Sequence, residues 1–144
     1  MSTINEIQDD IIEEFTITDD WMDRYQMLID LGNDQEELAN SEKTEDNIIV
    51  GCQSRVWIVC EYKNGLLYFR GESDALIVKG LVALLLKVVN GQTPTDIVEA
   101  DLYFVEAIGL SDHLSPTRST GFTSMIKQVK NYAIAYKVHE NNKV

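Results

Sequence analysis

Between residues 55 and 70 the hydrophobic pattern of this chain switches from a helical to an extended period, and that switch restricts the fold more than any other feature. The run R-V-W-I-V-C-E-Y at 55–62 is rich in β-branched and aromatic residues. Asn64-Gly65, a strong short hairpin signal, follows it and leads into a second extended run at 66–70. Residues 48–50 can begin the same sheet. The expectation is a small antiparallel sheet of about three strands.

Helical patterns flank that sheet on both sides. Thr3 and Glu6 have capping-box spacing ahead of a short helix carrying Ile7, Ile11 and Ile12. Thr18 or Asp19 can cap a second helix with Trp21, Met22, Tyr25, Leu28, Ile29 and Leu31 at helical spacing and Gly32 as its stop. Residues 33–47 are mostly polar, so a short helical turn and a loop are expected, with Leu38 as an anchor. After the sheet, Asp74 is expected to cap a long central helix from 75 to about 90, ended by Gly91. Thr93-Pro94 opens a short helix, and the apolar segment 102–110 is expected to be mainly buried. The last helix is expected to start near Ser119, carry Phe122, Met125, Ile126, Val129, Tyr132, Ala133 and Tyr136, and give way to a polar tail. Helices around a small antiparallel sheet define the α+β class. A chain of 144 residues suits a single domain over 1–144.

Charge and hydropathy narrow the function. The net charge of -12 repels phosphate backbones and anionic lipid surfaces, so nucleic-acid and membrane binding are not expected. The acidity serves solubility or docking of a basic partner. The first ten residues carry acidic and polar side chains where a secretory signal needs a basic start and an apolar run. The apolar stretch at 81–86 is far short of the ~20 residues that span a bilayer. The expected location is cytoplasmic.

Two cysteines, Cys52 and Cys60, are spaced as neither a redox CxxC pair nor a zinc motif, and each is weighed as a free thiol. Cys60 shares strand parity with Val56, Ile58 and Tyr62 and reads as a packing residue. Cys52 lies between Gly51 and Gln53-Ser54 at the junction of loop and strand, where glycine permits a tight turn and close approach to the sulfur. It reads equally as a nucleophile and as a small buried hydrophobe. A reactive thiol needs partial access and a positive neighbour, for which Arg55 and Arg118 are the candidates; each reads also as a solvated surface arginine. His113 suits a cap or packing position better than a general base, and His139 lies in the polar tail. The cysteines and histidines are too scattered for a metal site, and no phosphate-binding glycine motif is present.

Three blocks carry a family resemblance: Gly51-Cys52-Gln53-Ser54-Arg55-Val56-Trp57, then Gly71-Glu72-Ser73-Asp74-Ala75 with Ile77-Val78-Lys79-Gly80, then His113-Leu114-Ser115-Pro116-Thr117-Arg118 with Gly121. In their order and spacing they resemble the SufE family of desulfurase partners. The resemblance implies a SufE/IscU-like α+β fold with Cys52 as a persulfide-carrying residue on a loop. It implies that Cys52 takes sulfur from a pyridoxal-phosphate-dependent cysteine desulfurase, SufS-like or CsdA-like, stimulates that enzyme, and passes sulfur to a SufBCD-like scaffold complex for iron-sulfur cluster assembly. The chain itself then needs no cofactor, because the pyridoxal phosphate belongs to the partner, and it is an accessory protein rather than an independent enzyme. Gly51, Gln53, Ser54, Arg55, Asp74 and Arg118 are implied to support the loop or dock the partner.

Three other readings compete. An IscU-type iron-sulfur or zinc scaffold needs about three cysteines on converging loops, and this chain offers one suitable cysteine. A cysteine hydrolase needs Cys52 and His113 together. A desulfurase activator that carries no sulfur needs neither to react.

Overall fold

The computed structural model describes the backbone of residues 2–141 and the side chains of residues 2–138. Helix α1 (Ile4–Phe15) begins with the capping box expected for it: Glu6 N–H donates to Thr3 Oγ1 at 3.1 Å, and Thr3 N–H to Glu6 Oε1 at 3.2 Å. These bonds satisfy two backbone donors at the helix start. Helix α2 (Trp21–Asn33) is capped by Asp20, whose Oδ1 accepts the Met22 N–H at 2.9 Å. The expected caps lie one and two residues too early; Thr18 instead donates to Asp23 and accepts from Asp20 N–H.

Gly32 does not stop α2. It is buried inside the helix, where a Cβ would come within 2.8 Å of the Gly80 backbone nitrogen. Gly80 sits in α3 (Leu76–Val89), and a Cβ there would fall 2.2 Å from the Leu28 carbonyl oxygen. Glycine on both helices lets the two backbones approach closely, and that contact places α3 at the centre of the molecule. Val78, Gly80 to Leu86, Val88 and Val89 are all buried in α3. Each large apolar side chain among them contributes roughly 1.5–3 kcal/mol of burial.

Strands β1 (Val56–Lys63) and β2 (Leu66–Ser73) pair antiparallel in the register Lys63 opposite Leu66 through Val56 opposite Ser73. The turn residues Asn64 (φ 54°) and Gly65 (φ 82°) both take the left-handed conformation that matches strand twist in a two-residue hairpin. Among the described residues the sheet has these two strands; the expected third is reduced to a single bridge, Ile48 to Trp57. Ile49 N–H donates to Val56 O at 2.8 Å, and the chain then turns away at Gly51 (φ 100°) before a ladder can extend.

Helix α4 (Pro94–Glu99) starts as expected, with Thr93 accepting from Asp96 N–H at 3.1 Å and Pro94 in the first turn. The expected burial over 102–110 is divided: Phe104 and Ile108 in α5 (Phe104–Ile108) and Leu110, which opens α6 (Leu110–His113), are buried, while Glu106 and Ala107 are exposed. Gln8 of α1 joins this region to the first helix, donating to Asp101 O and accepting from Phe104 N–H, both at 3.1 Å.

Helix α7 (Pro116–Asn141) begins three residues before the expected start. Proline is well suited to a first turn, where its missing N–H is no loss, and Ser115 Oγ accepts the Arg118 N–H at 3.3 Å. The expected polar tail continues the helix to Asn141; the side chain of His139 lies outside those described. Phe122, Met125, Val129 and Ala133 form the buried stripe of α7, and Tyr132 reaches the hairpin, donating to Ile58 O at 3.4 Å. Among the described residues no helix is long and apolar enough to cross a membrane.

Candidate functional site

The loop between Ile49 and β1 is held at both ends and open in its middle. At one end Ile49 is buried and bonded to Val56. At the other, Arg55 N–H donates to Asp74 Oδ1 at 3.2 Å while Asp74 N–H donates to Arg55 O at 3.3 Å. Asp74 therefore does not cap α3 as expected. Ala75 occupies the cap position with no side-chain bond, and the Asp74 carboxylate serves the loop instead.

Between these anchors Cys52 is half-buried and unpaired by any disulfide. Its Sγ donates to the Gly121 carbonyl oxygen in α7 at 3.4 Å. Burial pushes the Cys52 thiol above its ordinary pKa. Gly51, just before it, has a conformation that side chains rarely adopt and leaves no room for one, since a Cβ would sit 2.6 Å from Ser124 Oγ.

The sulfur faces a cavity of about 340 Å³. Gln53 and Ser54 line it from the loop, buried Val78 and Met125 supply apolar wall, and exposed Thr117 and Arg118 lie at its edge. Of the residues expected at the site, Cys52, Gln53, Ser54 and Arg118 share this cavity. Arg55 and Asp74 do not line it; they tie down the loop, and Gly51 shapes its turn. Neither Arg55 nor Arg118 forms a salt bridge among the described residues, in contrast to Arg24, Lys43 and Arg70.

Val78, Met125, Gly121 and Ser124 enter the site through tertiary packing. The small residues at 121 and 124 are spaced to share a helix face, but only the folded chain shows that the cysteine loop lies on it. His113 is elsewhere. Its ring stacks on Trp21 with centroids 3.9 Å apart, and its Nδ1 lies 3.0 Å from Gly109 O, a packing role. Cys60 occupies β1 opposite Phe69, and burial pushes its thiol up to about 12. Among the described residues no cluster of three or more His, Cys, Asp or Glu could hold a metal ion.

Residues 9–133 match the family described as SufE, Fe-S metabolism associated domain. An uncharacterized SufE-like protein of Rhizobium etli is 40% identical over 130 residues, covering 87% of this chain and 88% of that protein. One of Rhizobium meliloti is 41% identical over 130 residues, with 87% and 93% covered. Another, from Synechocystis, is 39% identical over 131 residues, with 91% and 82% covered. The solution structure of a hypothetical protein from Thermus thermophilus shares the fold, with a TM-score of 0.74 at 18% identity over 90% of this chain and 94% of that one.

Proposed function

The chain belongs to the SufE family, whose domain is associated with Fe-S metabolism, and from that premise we propose that it is a sulfur carrier with Cys52 as the persulfide-bearing residue. The observation that carries this reading is the placement of Cys52: a free thiol on a loop anchored at both ends, with its sulfur at a cavity bordered by an arginine outside any described salt bridge. A carrier has two needs that conflict. Its sulfur must be nucleophilic and reachable during transfer, and shielded from small thiols between transfers.

The donor is a persulfide on the active cysteine of a pyridoxal-phosphate-dependent cysteine desulfurase. Cys52 loses its proton to solvent, and the thiolate attacks the outer sulfur of the donor. A new S–S bond forms at Cys52 as the donor's S–S bond breaks, and the donor cysteine leaves as a thiolate. The exchange needs no external oxidant or reductant. The pyridoxal phosphate stays with the partner. Transfer onward, to a SufBCD-like scaffold complex, repeats the exchange with Cys52 as donor.

The resting geometry is that of the unloaded thiol, held back from solvent. Burial and the bond to Gly121 O both favour the neutral thiol over the attacking thiolate. Docking must therefore move the loop outward, where solvent and Arg118 favour the anion. The fixed ends at Ile49 and Arg55 confine that movement to the few residues between them. The reading places this chemistry in the cytoplasm, in one domain over 1–144 with no cofactor of its own.

A hydrolase built on Cys52 and His113 loses support from the His113 stack on Trp21. The test is desulfurase turnover and sulfur delivery with wild type and Cys52→Ser. The carrier reading expects delivery to vanish in the serine variant. An activator that carries no sulfur would still speed the desulfurase and leave delivery intact.

A further inference from the structure

The surface against which Cys52 rests is made of two small residues one helical turn apart. A Cβ added at Gly121 would lie 3.3 Å from Cys52 Sγ, 3.7 Å from its Cα and 3.8 Å from its Cβ. The first of these is tighter than an ordinary van der Waals contact. Three residues along α7, Ser124 lies beneath Gly51 so closely that a Cβ on the loop would meet its Oγ at 2.6 Å. The Ser124 hydroxyl donates to Thr120 O at 3.1 Å, back along its own helix, so it contributes bulk here and makes no hydrogen bond to the loop. Loop and helix thus fit as complements: glycine above serine at one contact, cysteine above glycine at the other.

We infer that Gly121 and Ser124 of α7 form a seat that sets how far the Cys52 sulfur withdraws from solvent, with Gly121 as the positioning residue. Glycine disfavours a helix, and Gly121 is buried within α7, so helix stability does not account for its presence there. A side chain at 121 displaces the sulfur and lengthens its bond to the 121 carbonyl, which only a protonated thiol can make. The raised pKa of the seated thiol agrees with that arrangement. The inference rests on the reading of Cys52 as the transferred sulfur's carrier for its purpose, but the seat itself is measurable without any partner.

The experiment uses the full chain and the rate of Cys52 alkylation by iodoacetamide across pH, followed by peptide mass spectrometry. Arg118 is the one charged side chain among the described residues lining the cavity, and Arg55 with Asp74 stands at the loop's far end, so all three are kept unchanged. In Gly121→Ala the seat predicts a rise of about fivefold or more in the rate near pH 8, with the rate-pH midpoint moving downward. Cys60 alkylation stays constant. Ser124→Val, which adds bulk beneath Gly51, predicts the same change and carries the test if Gly121→Ala does not fold. Wild-type rates and midpoints in the folded variants overturn the inference. If the midpoint shifts while wild-type Cys52 accepts no sulfur from a desulfurase, the seat stands and the carrier reading fails. If sulfur is accepted and the midpoint does not move, the reverse holds.

Discussion

The carboxylate of Asp74 accepts the backbone N–H of Arg55 at 3.2 Å, nineteen residues away in sequence, and the two backbones return a second bond between Asp74 N–H and Arg55 O at 3.3 Å. This pair closes the far end of the Cys52 loop onto the start of the central helix. Asp74→Ala removes the side-chain bond and is expected to cost about 1 kcal/mol, because the site is exposed and water replaces part of it. Asp74→Asn keeps an accepting oxygen and is expected to retain most of the stability and of the sulfur delivery. Equal loss in both variants, measured by urea unfolding and by delivery, would contradict the anchoring role.

The contact between α2 and α3 makes an opposite prediction from helix propensity. Alanine is the better helix former, yet a Cβ at Gly80 would lie 2.2 Å from the Leu28 carbonyl oxygen. Gly80→Ala is therefore expected to destabilise by about 1–3 kcal/mol through overpacking. A neutral or stabilising result in urea unfolding would show that the helices separate without cost.

Alkaline pH should weaken the fold through Cys60. Its thiol is pushed from an ordinary 9.0 up to about 12 by burial, so the folded chain holds that proton more tightly than the unfolded chain does. The contribution is intact below pH 9.0 and is lost as pH rises toward about 12. Tyr103, raised from 10.0 to about 12 by its hydrogen bond to Asp9, acts in the same direction. Cys60→Val keeps the Tyr103 part and removes the cysteine part. Its unfolding midpoint should fall less steeply over that range than the wild-type midpoint, and parallel curves would refute the assignment.

Val50 and Leu76 are 87% and 61% exposed, and they adjoin the two anchored ends of the cysteine loop. If the partner docks over this loop, Val50→Asp and Leu76→Asp should each weaken stimulation of the desulfurase by about 1–2 kcal/mol while leaving thermal unfolding unchanged. Titration of the desulfurase with each variant checks this, and unchanged half-saturation in both would move the docking surface elsewhere.

The parts of the fold that were legible in the sequence are those decided within a few residues. The Thr3–Glu6 capping box, the Asn64-Gly65 turn and the Thr93-Pro94 helix start each rest on bonds between near neighbours, and each forms as expected. Gly32 and Asp74 depart from their local signals for one common reason. Glycine at a helix end and aspartate before a helix are strong local signals for stop and cap, but here tertiary partners, Gly80 and Arg55, take precedence. The start of α7 was readable from Ser115-Pro116, a capping hydroxyl followed by a first-turn proline, rather than from Ser119. At the site, Cys52 stood out by its glycine neighbour and its block, whereas the apolar wall of Val78 and Met125 and the contacts at Gly121 and Ser124 come from elements brought together only by folding.

If Cys52 Sγ is the atom on which sulfur arrives, mass mapping after loading will find it there. The chain is incubated with a cysteine desulfurase and cysteine, blocked with iodoacetamide, digested and analysed peptide by peptide. One added sulfur is expected on the peptide containing Cys52 and none on that containing Cys60, whose thiol burial pushes up to about 12. Added sulfur on Cys60 instead, or an unloaded Cys52 beside an active desulfurase, would contradict it.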